Sequence, residues 1–163
     1  MSLESDIARL AEQERRLQFA RFGATEAWAL GSALKALAES RGEAVTIEIR
    51  LQRETVFFHA MAGTTPSNAD WARRKRNSVD LLQRSSYRIG RELERDGSSL
   101  EARMGLPTRD YASHGGCFPL FVIGSGCVGT ATVSGLPQRE DHNMLVEAIA
   151  TMCGVTLADV ALD

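Results

Sequence analysis

The hydrophobic pattern of this chain switches twice from the period of a helix to the period of a strand, and this alternation restricts the fold most. Residues 45–51 alternate apolar and polar side chains, which predicts a half-buried strand. The run 54–61 follows after two residues, so the two segments are predicted to form an antiparallel hairpin. The runs 119–123 and 127–134 predict a second hairpin around a glycine-rich turn.

Helical periodicity surrounds the two hairpins. Residues 1–20 form an amphipathic segment, expected to pack on its own domain or at an oligomer interface. Thr25 is a candidate N-cap of the next helix, and Ser67 of a helix running through Leu82. A last helix is predicted after Pro137, with acidic residues in its first turn.

Hairpins with helices before, between and after them indicate an α+β domain, with an antiparallel β-sheet flanked by helices on both faces. A parallel βαβ fold is the weaker alternative. The length of 163 residues fits a single domain, 1–163.

Composition excludes several classes of protein. Charged residues make up 25% of the chain and hydrophobic residues 44%, with a net charge of −2, so neither nucleic acid nor a membrane is an expected partner. No apolar run approaches the roughly 20 residues of a membrane helix. Cys117, Cys127 and Cys153 form no C-x-x-C pair, which argues against a structural zinc site or a disulfide framework and favours a cytoplasmic location.

The stretch from His114 to Cys117 is the first candidate for chemistry. The pair Gly115-Gly116 allows either a ligand to approach the backbone closely or a loop to adopt positive φ. His114 and Cys117 have H-x-x-C spacing, which is half of a metal site without a second half.

The residues that follow the second hairpin are the second candidate. Arg139, Glu140, Asp141 and His142 come after a Gly-Leu-Pro turn, where they either converge on a ligand or form an ordinary helix N-terminus. A cysteine nucleophile served by Asp141 and His142 is chemically conceivable, but sequence proximity alone does not support it.

The basic run 73–76 is the third candidate. The simplest interpretation of this run is a helix face exposed to solvent. The alternative makes Arg74 and Lys75 anion-binding residues, with a carboxylate as the expected group. His59 lies within a strand and is predicted to be a packed or surface residue.

Three blocks, "GTTPSNADWARRKRNSV", "HGGCFPL" and "GCVGTATVSGLPQREDH", carry a family resemblance. They resemble the UPF-type branch of the GlcG/HbpS-like haem-degrading-domain family, a branch without an established activity. The resemblance extends over nearly the whole chain. It implies a profilin-like domain that forms homo-oligomers, and it makes haem the cofactor to consider.

Carried over by motif, the resemblance also implies a set of ligand-binding positions. Cys117 stands where the family has the third glycine of a triple, which places a thiol beside His114. The two residues are the candidates for haem iron ligands. The implied ligand-binding residues are Asn68, Trp71, Arg74, Lys75, His114, Gly115, Gly116, Gly135, Arg139, Glu140, Asp141 and His142.

Three functions remain open at this point. The first is a small-molecule or cofactor-binding protein, with haem as the named ligand. The second is a non-catalytic oligomeric adaptor, and the third is an enzyme that uses Arg74, Lys75, Asp141 and His142 for acid–base chemistry on an anionic substrate. A binding protein should bring the candidate residues to one pocket, whereas an adaptor should leave them dispersed.

Overall fold

The computed structural model describes residues 2–163 and contains a sheet of five strands between two layers of helices. The strands are β1 (Gln18–Phe19), β2 (Thr46–Leu51), β3 (Glu54–Ala60), β4 (Cys117–Val122) and β5 (Gly126–Ser134). The helices are α1 (Leu3–Arg16), α2 (Ala24–Ser40), α3 (Pro66–Leu82), α4 (Ser86–Arg95), α5 (Leu100–Met104), α6 (Gln138–Cys153) and α7 (Leu157–Val160).

The order of strands in the sheet is β1-β4-β5-β2-β3. Both predicted hairpins, β2–β3 and β4–β5, are present and antiparallel, and β2 joins them by pairing antiparallel with β5. The prediction of an α+β domain with helices on both sheet faces is therefore confirmed.

Strand β1 was not predicted, and it makes the sheet mixed rather than antiparallel throughout. It pairs parallel with β4, Gln18 opposite Phe121. The predicted first helix extended to about residue 20, whereas α1 ends at Arg16. Two residues are too short to show a period-two pattern, so this strand exists only because the chain passes beside β4.

The two faces of the sheet differ in chemistry because side chains alternate along each strand. Ile47, Ile49, Ala131 and Val133 are fully buried on one face and form the main core with α2 and α6. The opposite face is largely polar and is covered by α3. Its buried members include Thr46, Glu48, Thr130, Thr132 and Ser134.

Helix α1 packs on α4 and α7 of its own chain. Its inner side buries Ile7 and Leu10 together with the polar side chains of Asp6, Gln13 and Glu14. Its place at an oligomer interface stays a prediction. Among residues 2–163, no helix is both long enough and apolar enough to cross a membrane.

Two predicted helix caps were each wrong by two residues. The N-cap of α2 is Gly23 rather than Thr25, because the Glu26 side chain accepts a hydrogen bond from the backbone N–H of Gly23 at 2.9 Å. Helix α3 begins at Pro66, a residue suited to the first helical position. Thr65, not Ser67, is therefore its N-cap.

Candidate functional site

A cavity of about 250 Å³ lies where three segments that are distant in sequence meet. The start of α3 forms one wall, the loop before β4 a second, and the connection from β5 to α6 a third. We call it the α3–α6 pocket. Its lining residues are Asn68, Trp71, Lys75, His114, Ser134, Gly135, Leu136, Gln138 and Asp141.

A buried ion pair forms the inner end of this pocket. Lys75 is only 4% exposed and Asp141 only 1%. Lys75 Nζ donates to Asp141 Oδ2 at 2.9 Å and to the backbone oxygen of Val133 at 3.3 Å. An ammonium taken out of water needs such partners, so the pair fixes the position of Nζ in the pocket wall.

Asp141 is held from two sides. Its Oδ1 accepts from the backbone N–H of Leu136 at 2.9 Å, and Oδ2 accepts from Gly135 at 3.4 Å in addition to Lys75. Burial raises the pKa of this carboxyl group, while the ammonium of Lys75 and the two backbone donors oppose that rise. Asp141 therefore ties the start of α6 to both α3 and the end of β5.

Gly116 allows the ion pair to lie against the backbone. Its φ of +124° is one that glycine adopts most readily. A Cβ at this position would lie 2.4 Å from the Val133 oxygen and 2.7 Å from Lys75 Nζ. A Cβ on Gly115 would likewise lie 2.3 Å from the Gln138 oxygen. The glycine pair therefore makes room for the protein's own atoms rather than for a ligand.

Aromatic rings form the outer part of the pocket. The Trp71 ring meets the His114 imidazole edge to face, with 5.1 Å between centroids. The Arg74 guanidinium lies 4.2 Å from the Trp71 centroid, a cation–π distance. Partial burial lowers the pKa of His114, and the positive charges of Lys75 and Arg74 lower it further. The imidazole is therefore neutral at physiological pH.

The basic run 73–76 is not a solvated face. Arg73 contacts Asp70 and Asp110. Arg74 donates to the Thr108 oxygen at 2.6 Å, and Arg76 pairs with Glu48. With Lys75 buried, each residue of the run has a partner of its own.

The predicted cluster 139–142 is divided among different surroundings. Arg139 donates to Asp6 and to the Tyr87 hydroxyl, away from the pocket. Glu140 is exposed. Only Asp141 of these four residues lines the pocket.

His142 points into the core. Its Nε2 lies 2.8 Å from Gln13 Oε1, and its ring packs beside Tyr87 and Phe118. Burial lowers the pKa of His142 to about 3. Successive helical residues are turned by about 100°, which separates His142 from Asp141.

Cys117 also lies outside the pocket lining. It is fully buried, and its Sγ accepts from the Thr132 hydroxyl at 3.1 Å. Burial raises the pKa of this thiol strongly, so it stays protonated. Among residues 2–163, no group of three or more His, Cys, Asp or Glu side chains is placed to hold a metal ion.

Sequence reasoning missed the pocket residue Ser134, whereas Leu136 and Gln138 lie within the stretch 135–142 that the family motif covers but were not named as ligand-binding residues. All three lie within the block "GCVGTATVSGLPQREDH". The signal that could have identified them is their position at or just beyond the end of β5, close to the predicted ligand-binding residues Gly135 and Asp141. Gln138 also accepts a hydrogen bond from the backbone N–H of Gly115 at 3.0 Å, which joins two walls of the pocket.

The fold and the pocket define a single-domain α+β protein whose polar pocket is assembled from three separate segments. The sequence model of a family described as "Haem degrading protein HbpS-like" matches residues 22–150. The chain belongs to this HbpS-like family.

Full-length relatives support this assignment. The chain is 55% identical over 163 residues to a UPF0303 protein of Azotobacter vinelandii, covering 100% of this chain and 98% of the relative. It is 48% identical over 160 residues to a UPF0303 protein of Serratia proteamaculans, covering 98% and 99%.

Solved structures show the same fold. The crystal structure of the Ybr137w protein has a TM-score of 0.83 at 24% identity and covers 94% of this chain and 88% of that one. HbpS has a TM-score of 0.64 at 18% identity, with 82% and 91% covered. The PduOC:Heme complex has a TM-score of 0.66 at 16% identity, with 81% and 94% covered.

Proposed function

We propose that this protein binds a small molecule in the α3–α6 pocket. The observation that supports this most is the buried ion pair of Lys75 and Asp141, two residues that both line the cavity. Polar groups that converge on one concave site with an aromatic wall are typical of ligand pockets.

The adaptor hypothesis has less support. Six of the twelve predicted residues line one pocket: Asn68, Trp71, Lys75, His114, Gly135 and Asp141. The exposed apolar side chains of Trp28 on α2, Phe58 on β3 and Ile123 in the β4–β5 turn come from separate segments. A docking protein is expected to present a broad continuous patch instead.

The acid–base hypothesis requires Asp141 and His142 in one cavity. Asp141 lines the α3–α6 pocket, whereas His142 is fully buried against Gln13. A proton-transfer pair must lie within hydrogen-bond reach of one substrate. The arrangement of these residues therefore supports binding more than catalysis.

Haem is the ligand that the family description and the PduOC:Heme structure name. The pocket of about 250 Å³ is smaller than the roughly 300–1,000 Å³ of pockets for drug-sized ligands, and a porphyrin is a large ligand. Cys117 is sealed in the interior as a thiol, whereas iron binds the thiolate. Of the lining residues, His114 alone offers an imidazole to iron. The small volume and the buried thiol therefore argue against a haem held wholly within the pocket of one chain.

A haemin titration followed at the Soret band tests this exclusion, with haemin added to buffer alone as the control. We expect only a weak spectral change that does not saturate. Saturable binding of one haemin per chain that is lost in His114→Ala would contradict it and make haem the ligand.

The small-molecule proposal itself is tested by two-dimensional ¹H–¹⁵N NMR of the whole chain with a panel of small carboxylates, amines, amides and alcohols. The chain has 2 tryptophans, and Trp71 lines the pocket while Trp28 lies on α2. A ligand should shift the Trp71 indole resonance and leave that of Trp28 unchanged. If no compound of any class shifts Trp71, the pocket is not a binding site for such molecules.

A further inference from the structure

The hydrogen-bonding capacity of the pocket is one-sided, and this restricts what can bind there. Asn68 Oδ1 accepts from the backbone N–H of Thr65 at 2.9 Å. Gln138 Oε1 accepts from the N–H of Gly115 at 3.0 Å. Each amide oxygen thus has one of its two acceptor positions in use, whereas the NH₂ group of each side chain, a double donor, makes no hydrogen bond within residues 2–163.

Lys75 adds a third donor. An ammonium has three N–H bonds, and those of Lys75 are directed to Asp141 Oδ2 and the Val133 oxygen. One N–H therefore remains, and Lys75 lines the pocket.

The carboxylate in the same wall is largely occupied. Asp141 receives hydrogen bonds from Lys75, Leu136 and Gly135, which is three of its roughly four acceptor positions. The Ser134 hydroxyl and the His114 imidazole can either donate or accept.

From these contacts we infer that the α3–α6 pocket recognises the carboxylate of a small organic acid. This inference deepens the proposed function and depends on it. A carboxylate supplies several acceptor lone pairs to the donors of Asn68, Lys75 and Gln138, and hydrogen bonds to a charged group are the stronger ones.

The charge of the site favours a carboxylate over a phosphate. The ammonium of Lys75 is already paired with Asp141. Arg73 and Arg74 are held by Asp70, Asp110 and the Thr108 oxygen. A doubly charged phosphate commonly meets a cluster of free arginines or an open helix N-terminus, and the first turn of α6 is acidic.

The test measures binding of acetate, pyruvate and succinate to the whole chain by the Trp71 indole shift. Acetamide, ethylamine and inorganic phosphate are compared at equal ionic strength. Carboxylates should bind saturably and at least tenfold more tightly than the other probes. Acetamide lacks the charge, ethylamine offers donors instead of acceptors, and the second charge of phosphate meets no free cation among the described residues of the pocket.

Two isosteric variants examine the donors directly. Asn68→Asp and Gln138→Glu keep the oxygen that accepts from Thr65 or Gly115 but replace the NH₂ group by oxygen. Each should weaken carboxylate binding at least tenfold. Gln52→Glu adds the same charge in the exposed β2–β3 turn and should leave binding unchanged. Thermal unfolding of each variant verifies the fold.

The possible results separate this inference from the proposed function. Equal or tighter binding of acetamide, ethylamine or phosphate would overturn the carboxylate inference and keep a small-molecule site. Unchanged carboxylate affinity in both folded variants would also overturn it. A Trp71 resonance that no probe moves would overturn both.

Discussion

His142 shows at the scale of one residue how burial sets a pH response. Its Nε2 is bonded to Gln13, while Nδ1 is buried without a partner among residues 2–163. Protonation would place a charge in the core, which is why the pKa falls from its ordinary value of 6.5 to about 3. Between these two values the unfolded chain binds a proton that the folded chain does not, so acid favours unfolding.

We therefore expect His142 to cost stability as the pH falls through this window. From about pH 7 to about pH 5, the native protein should lose roughly 2 kcal/mol more unfolding free energy than His142→Gln, which lacks the titrating group. Urea denaturation at both pH values measures the difference. Equal losses in the two proteins would contradict the prediction, and the exposed His114→Gln serves as a control expected to show a smaller difference.

The position of His142 could have been predicted from the sequence. It precedes Leu145 by three residues and Ile149 by seven, the spacing of the buried stripe of α6. Asp141 precedes the same two residues by four and eight, which is also the spacing of a buried face. Helical periodicity thus predicts that both side chains are buried, but it cannot identify Asp141 as the pocket carboxylate, because its partner Lys75 is distant in sequence.

At the scale of an element, helix α3 shows that a helical layer can be attached to a sheet by ion pairs. It covers the polar face of the sheet, where Arg76 Nη1 donates to Glu48 Oε1 at 2.8 Å and Arg50 lies 3.6 Å from Asp80. The side chains of Arg76 and Glu48 are only 15% and 11% exposed. Breaking one partner of such a pair leaves a buried charge, whereas replacing both need not.

We predict that Glu48→Leu destabilises the protein by roughly 3 kcal/mol, because the Arg76 guanidinium loses its partner. The double variant Glu48→Leu/Arg76→Met should return to within about 1 kcal/mol of the native value or exceed it. Chemical denaturation of Glu48→Leu, Arg76→Met and the double variant gives the coupling free energy between the two side chains. Glu39→Leu, which breaks the exposed Lys35–Glu39 pair of α2, should cost less than about 0.5 kcal/mol. A double variant as unstable as Glu48→Leu would contradict this account.

The elements differ in how far the sequence predicts them. Residues 45–51 and 54–61 show the alternation and the two-residue turn of a hairpin, so β2 and β3 were predicted from local signals. The same alternation assigns Thr46 and Glu48 to a solvent face. They are buried because α3 covers that face with polar groups of its own, such as Arg76. No local sequence pattern predicts this contact between α3 and the sheet.

At the scale of the whole molecule, two apolar clusters lie in different layers. The main core lies between the sheet and α2 with α6, and a smaller cluster of Ile89, Leu93 and Leu100 holds α4 and α5. The Lys75–Asp141 pair joins the α3 layer to α6 of the main core. A single domain follows from length and pattern, but the meeting of three distant segments at the pocket depends on long-range packing that the sequence does not display.

This ion pair predicts that both layers unfold together. Opening the α3 layer alone would leave the carboxylate of Asp141 buried without its ammonium, a cost of several kcal/mol. The two tryptophans report separately: Trp28 packs against Phe57 beside the main core, and Trp71 lies on α3. Trp28→Phe and Trp71→Phe each leave one reporter.

In urea, the fluorescence transition of each single-tryptophan variant should coincide with its own far-UV circular dichroism transition, as two-state unfolding requires. A Trp71 signal that changes at lower urea than the circular dichroism of the same variant would show that the α3 layer opens first. Coincident transitions mean that the pocket persists only while the main core is folded, since Lys75 and Asp141 come from different layers. Ligand added at a hundred times its dissociation constant should then stabilise both layers equally, by about 2.7 kcal/mol.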